Sequence, residues 1–490
     1  MPGLGNLEKV TVSLRKSAIF GVKWSAISHF GRRGLSLLTT IILARLLAPA
    51  DFGLVAMAAV VVGFIELFND LGTATAVIQR KDPSQALIAS MFWLNAGFGF
   101  VATLVLYLVS PLAGAFYREP AVIPIMQALS VSLALSGLST LQKSLLERDL
   151  EFGKLARIEI GTAVFAAVVG ITSAFLGYGA WSLVYQMLAG NLLATLLVWW
   201  ASRWRPSWQF DWAEIRSVMG FSLNLTGATI FNFFARNADK LLIGRFLGSQ
   251  DLGYYDLAYR LMQFPLQGIS AVIARVMFPL LSRLQDDSGQ FGRTYVKMAA
   301  AIALISFPLM LGLTALVEPF VLMVFGKAWL PVIPLLLILA PLGAVQSITT
   351  TVGTIFTAKG RTDWALWWTI GSSVLIVLSF VLGLRWGILG VTASYAIMSL
   401  LLTYPTFAIP FRLIGLTVGD LTRVLWRPAA CSLAMYAALA AAMMFWPRTL
   451  PNWVTLSLLV PLGAAIYFAC SWAINRTLLL DVLSILRGKG

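Results

Sequence analysis

Long apolar stretches, broken by short polar clusters, fill the chain almost from end to end. Leu54–Phe68 running on into Asn69–Val77, Ala163–Leu176 running on into Tyr178–Trp200, Ala299–Val317 and Val454–Trp472 are of the order of the ~20 residues that a helix needs to cross the hydrocarbon layer. They lack the polar-in, apolar-out alternation of barrel strands. The pattern predicts an all-α polytopic membrane protein. Divided at Pro, Gly and charge clusters, the chain yields fourteen spans, with limits near 18–47, 52–77, 85–110, 121–142, 157–177, 180–201, 215–246, 252–275, 298–323, 331–357, 364–384, 387–410, 424–446 and 453–475. The longest loop expected, around Val276–Lys297, is too short for a catalytic domain.

An internal repeat groups these spans. Ala44-Arg45-Leu46-Leu47-Ala48-Pro49-Ala50-Asp51-Phe52-Gly53 returns 200 residues later as Gly244-Arg245-Phe246-Leu247-Gly248-Ser249-Gln250-Asp251-Leu252-Gly253, with Arg, Asp and Gly in register. Val122-Ile123-Pro124 is echoed by Val332-Ile333-Pro334, and more loosely Gly179-Ala180-Trp181 by Gly387-Ile388-Leu389. Six spans per unit is an even number, so both halves keep one orientation, which predicts a pseudo-two-fold axis along the membrane normal and a cavity between halves. The organisation expected is a six-helix half over 1–205, a second over 206–412, and spans 13 and 14 with a short tail over 413–490.

Composition sharpens this picture. Of 490 residues, 59% are apolar and 12% charged, about half the charge fraction of a soluble domain, and the mean hydropathy is +0.83. A net charge of +15 raises nucleic acid as a partner. With the N-terminus in the cytoplasm, however, twenty-five of the 36 Lys and Arg residues fall on the inner side and six on the outer, so the excess is read as an orientation signal and nucleic acid is set aside. Both chain ends are expected in the cytoplasm. Met1–Val22 has no signal-peptide cleavage pattern. One histidine and two cysteines, Cys431 and Cys470, make no multi-ligand metal site and no disulfide framework. No phosphate-binding Walker loop occurs, so neither ATP nor another cofactor is expected.

Candidate chemistry lies in polar residues at membrane depth, where an ionisable group costs about 2.5–3.5 kcal/mol on insertion scales and usually faces a cavity or a partner. Span 1 carries His29, Arg32, Arg33, Ser36 and Thr40, and span 2 carries Glu66, Asn69, Asp70 and Thr73. Span 7 runs Asn224, Asn232, Arg236, Asp239 and Lys240; span 8 runs Asp256, Arg260, Gln263 and Gln267. Arg236–Asp239 and Asp256–Arg260 have the spacing of intrahelical ion pairs, which is the structural reading of these stripes. Their recurrence in spans 1, 2, 7 and 8, corresponding members of the two halves, favours a shared wet cavity. The basic run Arg148–Arg157 reads as a solvated linker, and Trp199, Trp200, Trp204, Trp208 and Trp212 as an interfacial belt.

Taken together, these strings have a familiar order. The repeat motif, Asp70-Leu71-Gly72 leading to Ile78-Gln79-Arg80-Lys81-Asp82, Leu146-Glu147-Arg148-Asp149-Leu150-Glu151-Phe152, Asp239-Lys240-Leu241-Leu242-Ile243-Gly244-Arg245, Gly253-Tyr254-Tyr255 and Ala358-Lys359-Gly360-Arg361-Thr362-Asp363 resemble the polysaccharide transporter branch of the multidrug/oligosaccharidyl-lipid/polysaccharide exporter superfamily. Within that branch the chain is similar to colanic-acid-type, Wzx-like lipopolysaccharide flippases over essentially its whole length. The resemblance implies a V-shaped, fourteen-helix bacterial inner-membrane transporter, not an enzyme, working by alternating access. Its substrate would be an undecaprenyl-diphosphate-linked oligosaccharide, moved from the cytoplasmic to the periplasmic leaflet, with membrane lipids and a polymerase and chain-length regulator of the same pathway as further partners. Guanidinium suits phosphate geometry, which makes Arg32, Arg33, Arg236, Lys240 and Arg260 the candidates for the diphosphate and Glu66 and Asp239 those for ion coupling. A cell-wall lipid-precursor flippase and an ion-coupled drug antiporter of the same superfamily are the competing readings.

Overall fold

The computed structural model describes residues 31–68, 83–447 and 449–476. All regular structure in them is helical. In chain order the helices are α1 (31–46), α2 (Pro49–Glu66), α3 (Gln85–Tyr117), α4 (Val122–Arg148), α5 (Phe152–Phe175), α6 (Trp181–Ala201), α7 (Trp212–Phe246), α8 (Ser249–Pro265), α9 (Ala271–Arg283), α10 (Ser288–Ala315), α11 (Val317–Val324), α12 (Val332–Thr349), α13 (Gly353–Ala358), α14 (Thr362–Gly383), α15 (Gly387–Phe411), α16 (Val418–Phe445) and α17 (Asn452–Ile474). A π-helical turn, Leu266–Ser270, joins α8 to α9.

Among the described residues, ten stretches are long and apolar enough to cross a membrane, or eleven if the bent pair Ser249–Ala274 and Met277–Arg283 counts as one more. Thr362–Phe411, taken there as one, comprises α14 and α15, which turn back on each other: a Cβ on Gly390 would fall on the Gly383 carbonyl oxygen. Helix α7 carries no Asp, Glu, Lys or Arg between Arg216 and Arg236. Over the described residues the fourteen expected spans fall on helical segments, three of them broken: span 8 on α8, the π-helical turn and α9, span 9 on α10 and α11, and span 10 on α12 and α13. One expectation is corrected. Val276–Lys297 is no long loop; α9 runs to Arg283 and α10 starts at Ser288. The Asp287 carboxylate accepts from the Gln290 N–H at 2.9 Å and starts α10 well before the apolar run begins.

Contacts gather the chain into two compact units, Met1–Gly253 and Tyr254–Gly490. In the first, α3 and α4 lie close, because Gly99 and Gly137 put backbone against backbone: Cβ atoms there would stand 2.7 Å from the Leu133 oxygen and 2.5 Å from the Asn95 oxygen. The tryptophan belt also works as a clasp. Trp93 stacks on Trp208 at 4.6 Å and donates to the Ser207 carbonyl at 2.8 Å, Trp204 donates to the Gln85 side chain at 3.0 Å, and the Asp211 N–H donates to the Ser90 hydroxyl at 2.7 Å. The segment between α6 and α7 is thereby tied to α3.

The two copies of the repeat motif meet in this unit, at the starts of α2 and α8. A Cβ on Gly53 would sit 1.7 Å from the Ser249 carbonyl oxygen, and one on Gly253 would sit 1.9 Å from that of Pro49. Position 49 corresponds to 249 and position 53 to 253, so the contact is reciprocal: each glycine receives the carbonyl that its own partner position supplies. Gly244 similarly lets α7 lie on the ring of Tyr117, 2.9 Å from where its Cβ would be. This is why α7 groups by contact with the first six helices although the sequence repeat begins a new half before it.

The second unit is built around Phe291, Tyr295, Ile302, Ile348, Phe356 and Phe411. Polar pairs bind α10 to the α12 segment within this apolar setting: Tyr295 Oη to Thr351 Oγ1 at 3.0 Å and Ser306 Oγ to Ser347 Oγ at 2.7 Å. Outside the repeat, the turn that leads into α16 packs on α10 through Leu416 on Gly292, and α17 through a hydrogen bond from the Tyr467 hydroxyl to the Leu304 carbonyl at 2.8 Å.

Candidate functional site

A cavity of about 680 Å³ opens inside the first unit between α1, α4, α5 and α6. Helix α4 brings Ser136, Thr140, Lys143, Ser144 and Glu147 to it, in the overlapping rows 136/140/144 and 140/143/147 that share one face. Glu159 and Thr162 come from α5, Gln186 and Asn191 from α6, and Arg32 from α1. Ala163, Ala166, Gly190 and Ala194 leave the space between α5 and α6. Glu159 is the hub. Its carboxylate lies 3.6 Å from the Arg32 guanidinium and 3.9 Å from the Lys143 ammonium.

Both separations exceed the about 2.7–2.9 Å of a tight charge-assisted hydrogen bond. The three groups are therefore held within one another's field as loose ion pairs. Three of the wall hydroxyls are already occupied as donors: Thr140 donates to the Ser136 carbonyl at 2.8 Å, Ser144 to that of Thr140 at 2.9 Å, and Thr162 to that of Glu159 at 3.1 Å. What they present to the cavity is lone pairs. A charged, hydroxyl-lined hollow within helices of membrane-spanning character is arranged to hold a polar solute or water, since lipid would leave its charges unsolvated.

Of the predicted site residues, Arg32 lines this cavity with its side chain 47% exposed. Arg33 is half-buried in the same turn. On α7, Arg236 is exposed, Lys240 half-buried and Asp239 buried, with the Asp239 carboxylate accepting from the Lys240 N–H at 2.7 Å. The helix crosses α2 there, with Phe233 against Gly63 and Phe64. Glu66 stands exposed at the last turn of α2. Arg260 belongs to the second unit, where its Nε donates to the buried Asp256 carboxylate at 2.6 Å; the ion-pair spacing of that stripe has its structural use. His29, Asn69, Asp70 and Thr73 lie outside the described residues, as does the Asn224 side chain.

Lys143, Glu147 and Glu159 are site residues that the reading of the sequence did not single out. Lys143 counted there as an inner-loop charge, yet α4 continues to Arg148. The signal was present as a polar repeat at helical spacing from Ser136 to Glu147 and as a carboxylate between Ile158 and Ile160. A second hollow, of about 420 Å³, lies at the α4–α5 turn, lined by Arg148, Lys154 and Arg203 with Asp149 and Glu151; Lys154 pairs with Glu151 at 2.8 Å.

Comparison with known proteins gives three kinds of likeness. A family model described as "Polysaccharide biosynthesis protein" matches residues 42–334. The lipopolysaccharide biosynthesis protein WzxC of Escherichia coli (strain K12) is 29% identical over 426 residues, 86% of this chain and 87% of that one. The teichuronic acid biosynthesis protein TuaB of Bacillus subtilis (strain 168) is 29% identical over 396 residues, 79% of this chain and 81% of that one. Among solved structures, the lipid II flippase MurJ in its inward closed conformation superposes with a TM-score of 0.76 at 13% identity, covering 94% of this chain and all of that one. That last likeness fixes the fold: an all-helical, polytopic membrane protein.

Proposed function

Because this chain belongs to the polysaccharide biosynthesis protein family, we propose that it is a flippase for lipid-linked oligosaccharides, moving undecaprenyl-diphosphate-linked repeat units from the cytoplasmic to the periplasmic leaflet of a bacterial inner membrane. The observation that carries this reading is the charged, hydroxyl-lined cavity within an otherwise apolar bundle. A glycan head crossing the hydrocarbon layer loses its water, and every hydroxyl and phosphate oxygen then needs a partner supplied by the protein. The relatives named for lipopolysaccharide and teichuronic acid biosynthesis point to the same class of cargo.

The diphosphate is assigned to the cationic groups Arg32, Arg33, Arg236, Lys240 and Arg260, and ion coupling to Glu66 and Asp239. One charge moved through a potential of 100 mV supplies about 2.3 kcal/mol. The inner-side excess of Lys and Arg supports cytoplasmic chain ends, and a polymerase and chain-length regulator would take up the product. No bond is made or broken in this activity. Deleting the gene tests it. Undecaprenyl-diphosphate oligosaccharide should accumulate in the cytoplasmic leaflet; altered drug efflux without that accumulation rejects the proposal.

A further inference from the structure

We infer that the cavity between α1, α4, α5 and α6 is a glycan subsite, which receives a sugar of the cargo while the diphosphate stays outside it; this rests on the flippase reading above. The charge balance of the wall separates the two parts of the cargo. Arg32 and Lys143 are matched by Glu147 and Glu159, so the lining is formally neutral. A diphosphate placed inside would face two carboxylates and find cations already engaged with one of them, at 3.6 and 3.9 Å. Like charges held at contact range cost more than the pairing returns when water is thin.

A polyhydroxylated ring meets the opposite situation. Its O–H groups find acceptors in the carboxylates and in the lone pairs of Thr140, Ser144 and Thr162, whose own protons are committed to helix carbonyls. Its oxygens find donors in Lys143 and Arg32 and in the amides of Gln186 and Asn191. A volume of about 680 Å³ lies within the range of about 300–1,000 Å³ of small-molecule sites. The small side chains of α5 and α6 provide the width for it. Arg32 belongs to the lining with its side chain half exposed.

The test uses the full chain in lipid nanodiscs and two probes, lipid-linked oligosaccharide extracted from a strain lacking this chain and bare undecaprenyl diphosphate. Ala163→Phe with Ala194→Phe narrows the hollow from α5 and α6 together. It should weaken the oligosaccharide probe at least tenfold and leave undecaprenyl diphosphate within twofold of the native chain. Lys143→Met, of similar length, should weaken the oligosaccharide probe at least threefold with the same selectivity, and it keeps the test open if the double variant does not fold. Equal loss of both probes would give the hollow to the diphosphate, and no change of either would make it a packing void; each result overturns the inference. Displacement of the oligosaccharide by phosphatidylglycerol would assign the site to a lipid head group and overturn it too. If the native chain binds no oligosaccharide probe, the flippase reading fails first, and the native-chain arm shows that separately.

Discussion

Replacing either glycine of the repeat crossing by alanine should separate α2 from α8, and replacing both should cost scarcely more than replacing one. The Cβ added at Gly53 would lie 1.7 Å from the Ser249 carbonyl oxygen and that at Gly253 1.9 Å from the Pro49 oxygen, against ordinary contact from 3.4 Å. The shortfall is about 1.5–1.7 Å, and the obstacle is backbone on both sides, which cannot rotate away. Overpacking of this kind costs about 1–3 kcal/mol. The Cα–H groups now aimed at those oxygens lose a further ~0.5–1 kcal/mol each in weak hydrogen bonds. A single substitution, which parts both contacts, should therefore destabilise by about 2–5 kcal/mol. Because one separation relieves both clashes, the double variant should fall well short of the sum. Reversible denaturant titration of the purified chain in mixed micelles, followed by tryptophan fluorescence, reads this as a shift in midpoint at constant slope. Gly63→Ala is the control: its Cβ would stand 3.3 Å from the mobile ring of Phe233, so less than ~1 kcal/mol is expected. Additive effects, or single variants as stable as the control, would refute the reciprocal crossing.

Three further outcomes follow from the same packing logic. Arg32→Ala with Arg33→Ala should abolish complementation of the deleted gene at normal protein level, and full activity would remove both from the proposed diphosphate set. In the second unit, Arg260→Met should destabilise more than Asp256→Asn. The first takes the Nε–H donor from a carboxylate that is 1% exposed, the second takes an acceptor from a guanidinium that is 57% exposed, so the gap in unfolding free energy should be ~1–3 kcal/mol. Thr417→Ala should lower stability by ~0.5–2 kcal/mol, since the Thr417 hydroxyl accepts from the Asp420 N–H at 3.2 Å and the Asp420 carboxylate accepts in return from the Thr417 N–H at 3.0 Å.

What the sequence disclosed depended on whether one physical effect dominated. Hydrophobic run length located the helices, because bilayer thickness sets it independently of packing. The repeat was legible too, since Arg, Asp and Gly in register cannot come from apolar bias. That its glycines would touch each other was not legible, as this depends on a crossing that no local pattern encodes. At the site, Arg32 stood out through its depth, whereas Lys143 and Glu147 did not. Hydropathy ends span 4 near residue 142, but α4 continues to Arg148, because polar residues facing a hollow are as compatible with helix as apolar ones facing lipid. Asp256 and Arg260 carried two readings from their spacing, an ion pair and a cavity lining, and the 2.6 Å hydrogen bond between them meets the first.

The form of the cavity wall bears on how a flippase could release what it binds. A site made of unpaired polar groups would be costly when empty, by about 1–3 kcal/mol for each buried group, and would hold its cargo correspondingly hard. Here the hydroxyl protons of Thr140, Ser144 and Thr162 are satisfied within their own helices at 2.8–3.1 Å, and the carboxylate of Glu159 has two cations within 4 Å. Emptying the hollow strands no donor among these groups, and filling it adds contacts through lone pairs that cost little to leave exposed to water. Empty and occupied states are thereby brought close in free energy. That balance is what a carrier requires and what a tight receptor avoids, and it is set by the choice of Ser and Thr one helical turn from their acceptors rather than by any single cationic residue.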